Sequence, residues 1–131
     1  MTYWLCILTP ENYEIVRKEL IWGVEDRHRN KIQQVKKGDK LVMYVIGEKK
    51  IKGIYEATGE AYREEKQIFK GGLYPNRVKL KKVKEGDVDI EKIREKLELF
   101  KGLGPRWALK LRGKAMIQIT EKDHKTIETF L

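Results

Sequence analysis

The chain has 131 residues, room for one domain with a real core and too few for two. Its 29 Lys and Arg against 20 Asp and Glu leave a formal charge of +9, a balance that favours polyanionic partners such as nucleic acid over an anionic membrane surface. Charged residues make up 37% of the sequence and hydrophobic ones 40%. Heavy Lys and Glu use of this kind is also the composition of hyperthermophile proteins, whose ion pairs cover the surface, so the density of charge has a second explanation that its positive surplus lacks.

In chain order, Tyr3-Trp4-Leu5-Cys6-Ile7-Leu8 is an unbroken apolar run, read as a strand buried on both faces. Cys6, the only cysteine, lies within it, which excludes a disulfide framework and a cysteine metal site. Met1-Thr2-Tyr3 leads straight into this strand with no signal peptide, and no stretch reaches the length of a membrane span, so a cytoplasmic protein with no membrane partner is expected. Thr9 and Pro10 then predict a helix start, Thr9 as N-cap and Pro10 in the first turn, with Tyr13, Val16 and Leu20 as its apolar stripe. Trp22-Gly23-Val24 is read as the end of that helix. A polar stretch over 25–37 follows, with a short helical turn near 30–34. Lys37-Gly38-Asp39 turns into the strongest strand, 41–46.

A hairpin loop over 47–50 leads to a long strand over 51–62, in which Gly53 and Gly59 suggest bends that curl a sheet. Residues 63–75 read as a loop. The strand over 77–83 alternates, Val78 and Leu80 inward with Lys79 and Lys81 outward. A helix over 89–97 carries Ile90, Ile93 and Leu97, a strand follows at 115–119, and Thr120 with Asp123 resembles a capping box opening a last helix. This order predicts an α+β fold with a small curled sheet in a single domain, residues 1–131.

The stock of catalytic groups is thin. His28 and His124 are the only histidines, and His124 shares a helix face with Ile127 and Leu131, the position of a core or boundary residue. No phosphate-binding loop, nucleophile elbow or HExxH pair occurs. The acids at 85, 87, 89 and 91 surround a turn and helix start, where carboxylates suit the helix dipole. No enzyme activity, cofactor or metal is expected on these grounds. What stands out is aromatic residues beside basic ones: Trp22 next to Gly23, and Trp107 in Gly104-Pro105-Arg106-Trp107, followed by Lys110, Arg112 and Lys114. A tryptophan in such a place can stack on a base, worth roughly 1–3 kcal/mol, or can simply fill the core. For Trp4 and Tyr44 the core is the plainer reading, and Tyr62, Phe69 and Tyr74 are further candidates.

Tyr3-Trp4 opening the first strand, the Pro-initiated helix, Trp22-Gly23-Val24, the polar Arg27-His28-Arg29-Asn30, the run from Val35 to Tyr44 and the Arg112-Gly113-Lys114 approach to the last strand together resemble the EVE domain. The resemblance covers nearly the whole chain and is closest to short stand-alone archaeal and bacterial members. It implies a PUA-like curled, mixed β-barrel of five to six strands with flanking helices, related to YTH and ASCH domains. It further implies a non-catalytic pocket for a modified base of RNA or DNA. Trp22, Gly23 and Val24 match the motif by position, and Asn30, Trp107 and Tyr62 complete the expected base pocket. Arg27, His28, Arg29 and Lys31 on one side, and Arg106, Lys110 and Arg112 on the other, are expected at phosphates, which position a nucleic acid without reading it. A monomer is favoured.

The chain also departs from the family. Many members have Ser-Glu-Pro where this one has Leu8-Thr9-Pro10, leaving Glu11 as a displaced substitute for a pocket acid. Many have Gly-Val-Arg-Asn where this one has Gly23-Val24-Glu25-Asp26. Two alternatives stay open: an ASCH-like hydrolase of modified nucleosides, although the stretch from Gly23 to Arg27 lacks that family's Lys, and an adaptor that binds a nucleotide, a small anion or a protein.

Overall fold

The computed structural model describes residues 1–131. Strand β1, Tyr3–Leu8, is an interior strand of the sheet, paired on both sides, as its apolar run predicts. It pairs parallel with β3, Lys40–Val45, and antiparallel with β7, Met116–Ile119. Beyond β3 the sheet continues antiparallel through β4, Lys50–Ala57, and β6, Asn76–Asp89, to β2, Ile21–Val24; the two-residue β5, Tyr62–Arg63, also pairs with β6. The mixed sheet has seven strands, one more than the upper expectation, because β2 and β5 are short strands whose only signal is their pairing.

Between β1 and β2 runs α1, Pro10–Glu19, which begins as predicted: Thr9 is extended, and its hydroxyl accepts from Asn12 N–H at 3.3 Å. It ends because Leu20 turns left-handed, φ 57°, with its N–H bonded to Val16 C=O. The chain then leaves as a strand, so Trp22-Gly23-Val24 is no helix exit: Trp22 pairs with Val78 and Val24 with Asn76. The expected strand over 51–62 likewise stops at Ala57, and a bend at Gly59 separates it from β5.

Gly53 sits at a register shift of β4, and the need for glycine there is steric. A Cβ there would lie 2.8 Å from the Tyr13 hydroxyl and 2.8 Å from the Tyr55 ring. The space is taken by the contact that docks α1 on the sheet: the Tyr13 hydroxyl donates to Lys52 C=O at 3.1 Å and lies 3.2 Å from that of Tyr55.

Alternation along the buried strands splits the core in two. Trp4, Cys6, Leu41, Met43, Trp22 and Val78 face the interior with α1. Leu5, Val42, Tyr44 and Ile54 face the opposite way, covered by the segment from α3, Ile90–Ile93, to a 3-10 stretch at Gly104–Leu111, and by α4, Glu121–Phe130. The helix expected over 89–97 is a short α-turn continued by a 3-10 turn, with Ile90, Ile93 and Leu97 buried as predicted.

Thr120 caps α4 by accepting from Asp123 N–H at 3.0 Å, half of the expected capping box. The Asp123 carboxylate does not return to Thr120. It accepts from Glu98 N–H at 2.8 Å and Leu99 N–H at 2.9 Å, so one side chain caps a second element.

A candidate base-binding cavity at the seam of the sheet

The sheet curls until its two edge strands, β2 and β7, approach each other. They share no backbone ladder; the Trp22 indole N–H instead points at Met116 Sδ, 3.5 Å away. At one end of this seam opens a cavity of about 240 Å³. Leu8, Thr9, Asn12 and Val16 form one side, from the β1–α1 junction. Trp22, Gly23, Glu25, Arg27 and His28 form a second, and Phe69 and Tyr74 close it from the long loop. Ile46, Lys114 and Ala115 complete the rim.

The loop over 64–75 would be the soft part of such a cavity, and two buried polar side chains fix it. Asn12 is bonded in both directions to Lys70: its amide donates to Lys70 C=O at 2.9 Å and its Oδ1 accepts from Lys70 N–H at 2.8 Å. Arg77, 1% exposed, donates to the carbonyls of Leu73 and Tyr74, each at 3.0 Å, and to that of Lys66. Its guanidinium also lies 5.5 Å from the centre of the Phe69 ring. Phe69 and Tyr74 are thereby held edge-to-face, centroids 5.6 Å apart at 86°.

This loop also explains why glycine follows Trp22. A Cβ on Gly23 would come within 2.8 Å of both the Phe69 ring and Tyr74 C=O. The ladder adds a second consequence. Leu80 N–H donates to Leu20 C=O, so the hydrogen-bonded pairs of β2 and β6 are those of Leu20, Trp22 and Val24. Gly23 falls on an alternate position, and its N–H and C=O point away from β6, beside the cavity it lines.

The polar lining is mixed. Arg27 and Glu25 are paired at 3.5 Å, and Lys114 has no carboxylate partner. Burial, and then the neighbouring Arg27, hold the His28 imidazole below its ordinary pKa, so it is neutral at pH 7 and offers one donor and one acceptor.

Of the residues expected in the base pocket, Trp22 and Gly23 line this cavity. Val24 is the next residue of β2, buried at 1% and packed in the interior core behind it. Asn30 lies on the exposed side of α2, Arg29–Ile32. Tyr62 lines a separate cavity with Arg29 and Asn76. Trp107 is in the opposite core, 4% exposed, its indole donating to Glu91 at 2.8 Å and its ring edge-to-face with Phe100 and Tyr44. The sheet stands between it and the seam.

Among the expected phosphate ligands, Arg27 and His28 line the cavity, while Arg29 and Lys31 sit on the exposed side of the following turn. Arg106, Lys110 and Arg112 are exposed along the segment leading to Lys114, which does reach the rim. Glu11 is exposed on α1 and does not line the cavity, where the carboxylate is that of Glu25. Asn12 and Ile46 were not signalled by sequence, although Asn12 stands four residues before Val16 and so shares its buried face.

A family model for the EVE domain matches residues 2–130. The chain belongs to the EVE domain family. A UPF0310 protein of Pyrococcus horikoshii is 42% identical over 145 residues, an alignment covering 100% of this chain and 99% of the relative. Among solved structures, the human THYN1 protein in complex with 5-methylcytosine-containing DNA superposes with a TM-score of 0.69 at 16% identity, covering 99% of this chain and 97% of that one. The YTH domain of Zygosaccharomyces rouxii MRB1 in complex with N6-methyladenosine RNA gives a TM-score of 0.72 at 14% identity, covering 98% of this chain and 85% of that one. At these identities the likeness is one of fold, and it places this EVE domain in the PUA-like architecture expected from its motifs.

Proposed function

We propose that this EVE domain is a non-catalytic nucleic-acid-binding module that takes one modified base, turned out of its strand, into the seam cavity. The observation that carries this reading is the combination of Trp22, Phe69 and Tyr74 around one cavity with the unladdered backbone groups of Gly23. A flipped base needs flat apolar walls and a few fixed hydrogen-bonding groups at its edge. At about 240 Å³ the cavity falls below the roughly 300–1,000 Å³ of sites for drug-sized molecules, a size suited to a single ring system. Lys114 and Arg27 stand at the rim, where phosphates would pass. Solved relatives of this fold include complexes with DNA containing 5-methylcytosine and RNA containing N6-methyladenosine, which supports the ligand class.

The polar groups suit binding better than catalysis. Both ends of the Asn12 amide are occupied by Lys70, Glu25 is tied to Arg27, and His28 has no carboxylate to orient it. A nucleophile paired with a base is the arrangement covalent catalysis asks for, and these side chains do not make one.

The test is binding of RNA and DNA oligonucleotides, with and without 5-methylcytosine or N6-methyladenine, to wild type, Trp22→Phe and His28→Ala. The expected result is preference for one modified oligonucleotide, reduced in both variants. Failure of wild type to bind any of them at low salt would overturn the reading, and unchanged selectivity in both variants would remove the cavity from it.

A further inference from the structure

A second cavity of about 210 Å³ lies on the other side of the segment that walls the first. We propose that it is a subsite for the base next to the one in the seam cavity, so that the domain reads a two-nucleotide step; this rests on the reading given above. The two cavities are close in volume, each suited to one base. Their linings exchange between two consecutive residues: His28 faces the first and Arg29 the second. A strand that leaves one base in the seam and crosses this turn arrives at the other cavity.

The dividing wall is fixed. It consists of a 3-10 turn, Asp26–His28, running into α2. The Asp26 carboxylate accepts from Arg63 of β5 at 2.7 Å and from the Asn76 amide of β6 at 2.9 Å, and the same amide also reaches Val24 C=O at 3.4 Å. These bonds tie the turn to two strands.

The second lining also differs in chemistry from the first. Ile32, Ala61 and Tyr62 give it an apolar side. Its polar side is rich in donors: Arg29 has no ion pair, the Gln33 amide makes no hydrogen bond within the chain, and Arg63 engages its carboxylates through Nε and Nη1 only. Guanidinium and amide groups are the side chains that read base edges, and two adjacent acceptors on a purine, the O6 and N7 pattern of guanine, are what an arginine engages bidentately. A base with that acceptor-rich edge is the ligand this lining fits.

The experiment uses single-stranded RNA and DNA oligonucleotides that keep the central base fixed and vary each flanking position through all four bases. Affinities are measured for wild type, Arg29→Gln, Gln33→Ala and, for the first cavity, His28→Ala. Arg29 and Gln33 are exposed, so their variants keep the fold. Wild type is expected to prefer guanine at one flank by about fivefold or more, the lower end for one bidentate base contact. Arg29→Gln and Gln33→Ala should flatten that preference while leaving discrimination at the central base intact, and His28→Ala should do the reverse. The subsite is overturned if wild type has no flank preference, or if the Arg29 and Gln33 variants leave it unchanged. It is equally overturned if they weaken every flank alike, which marks a phosphate contact. Those results leave the seam cavity standing; absence of all binding by wild type overturns both.

Discussion

Trp22 on one edge strand and Met116 on the other are joined by an indole N–H to sulfur contact of 3.5 Å, the side-chain bridge across the seam of the curled sheet. Both residues are buried, at 3% and 2% exposure, so Trp22 is at once the floor of the cavity and part of the closure of the fold. Trp22→Ala is therefore expected to cost about 3–5 kcal/mol through the cavity it leaves, and to lower the midpoint of denaturant unfolding accordingly. Trp22→Phe, which keeps a ring but loses the N–H, should cost much less. A ligand-binding loss in Trp22→Ala alone would then report unfolding, and only the phenylalanine variant separates the two roles.

Gly23→Ala tests the close approach of the long loop. The added methyl meets the Phe69 ring and the Tyr74 carbonyl at 2.8 Å, and overpacking of this kind costs about 1–3 kcal/mol. Because the loop must move, the cavity should lose affinity for its ligand as well. Gly59→Ala is the control: no atom lies within 4 Å of the new methyl, and its thermal midpoint should match wild type.

How much of this was legible in the residues follows from where each signal lies. The buried first strand and the start of α1 were readable because an apolar run and a Thr-Pro cap act locally. β2 was not: four residues after a helix become a strand only because Val78 and Asn76, far along the chain, pair with them. The same limit applied to the aromatics. Trp22 and Trp107 both stand beside glycine or arginine in sequence, and which face of the sheet each occupies decides that one borders a cavity and the other fills a core. Asp123 looked like a local cap, and its carboxylate serves a neighbouring element. Two of the three family-motif positions, Trp22 and Gly23, line the cavity, whereas the local pattern singled out Trp107 equally.

Salt dependence should divide the basic residues. Between Lys101 and Lys114 lie Arg106, Lys110 and Arg112 with no Asp or Glu, and the ion pairs of the flanking elements stop at Arg94–Glu91 and Lys122–Glu98. If this segment carries the phosphates that lead to the rim, Lys110→Gln and Arg112→Gln should each weaken binding for all sequences alike. Each should also lower the slope of log affinity against log salt by about 0.7 for single strands or about 0.9 for duplex. Lys92→Gln, on α3, should leave the slope unchanged.

Acid should destabilise the domain in a window set by its two histidines. Burial is the main cause that holds both His28 and His124 below their ordinary value of 6.5. Above that pH both states are neutral and nothing is gained or lost. As pH falls below 6.5 the unfolded chain takes up protons that the folded imidazoles resist, so stability declines. The carboxylates held low by partners, Asp26 chiefly by Arg63 and Glu56 chiefly by Lys40, have ordinary values of 3.8 and 4.5 and act lower in the scale. Between pH 6.5 and 5 the slope belongs to the histidines. His124 is 6% exposed, its ring lies 4.7 Å from that of Tyr3 at a tilt of 35°, and its buried Nε2 is left without a partner. His124→Phe removes that nitrogen and keeps a ring against Tyr3, so its unfolding free energy should fall less steeply over this window, with no loss at pH 7. Urea unfolding at pH 7 and pH 5 measures both quantities, and an imidazole NMR titration of wild type should place His124 below 6.5. An equal slope in the variant would assign the acid sensitivity elsewhere.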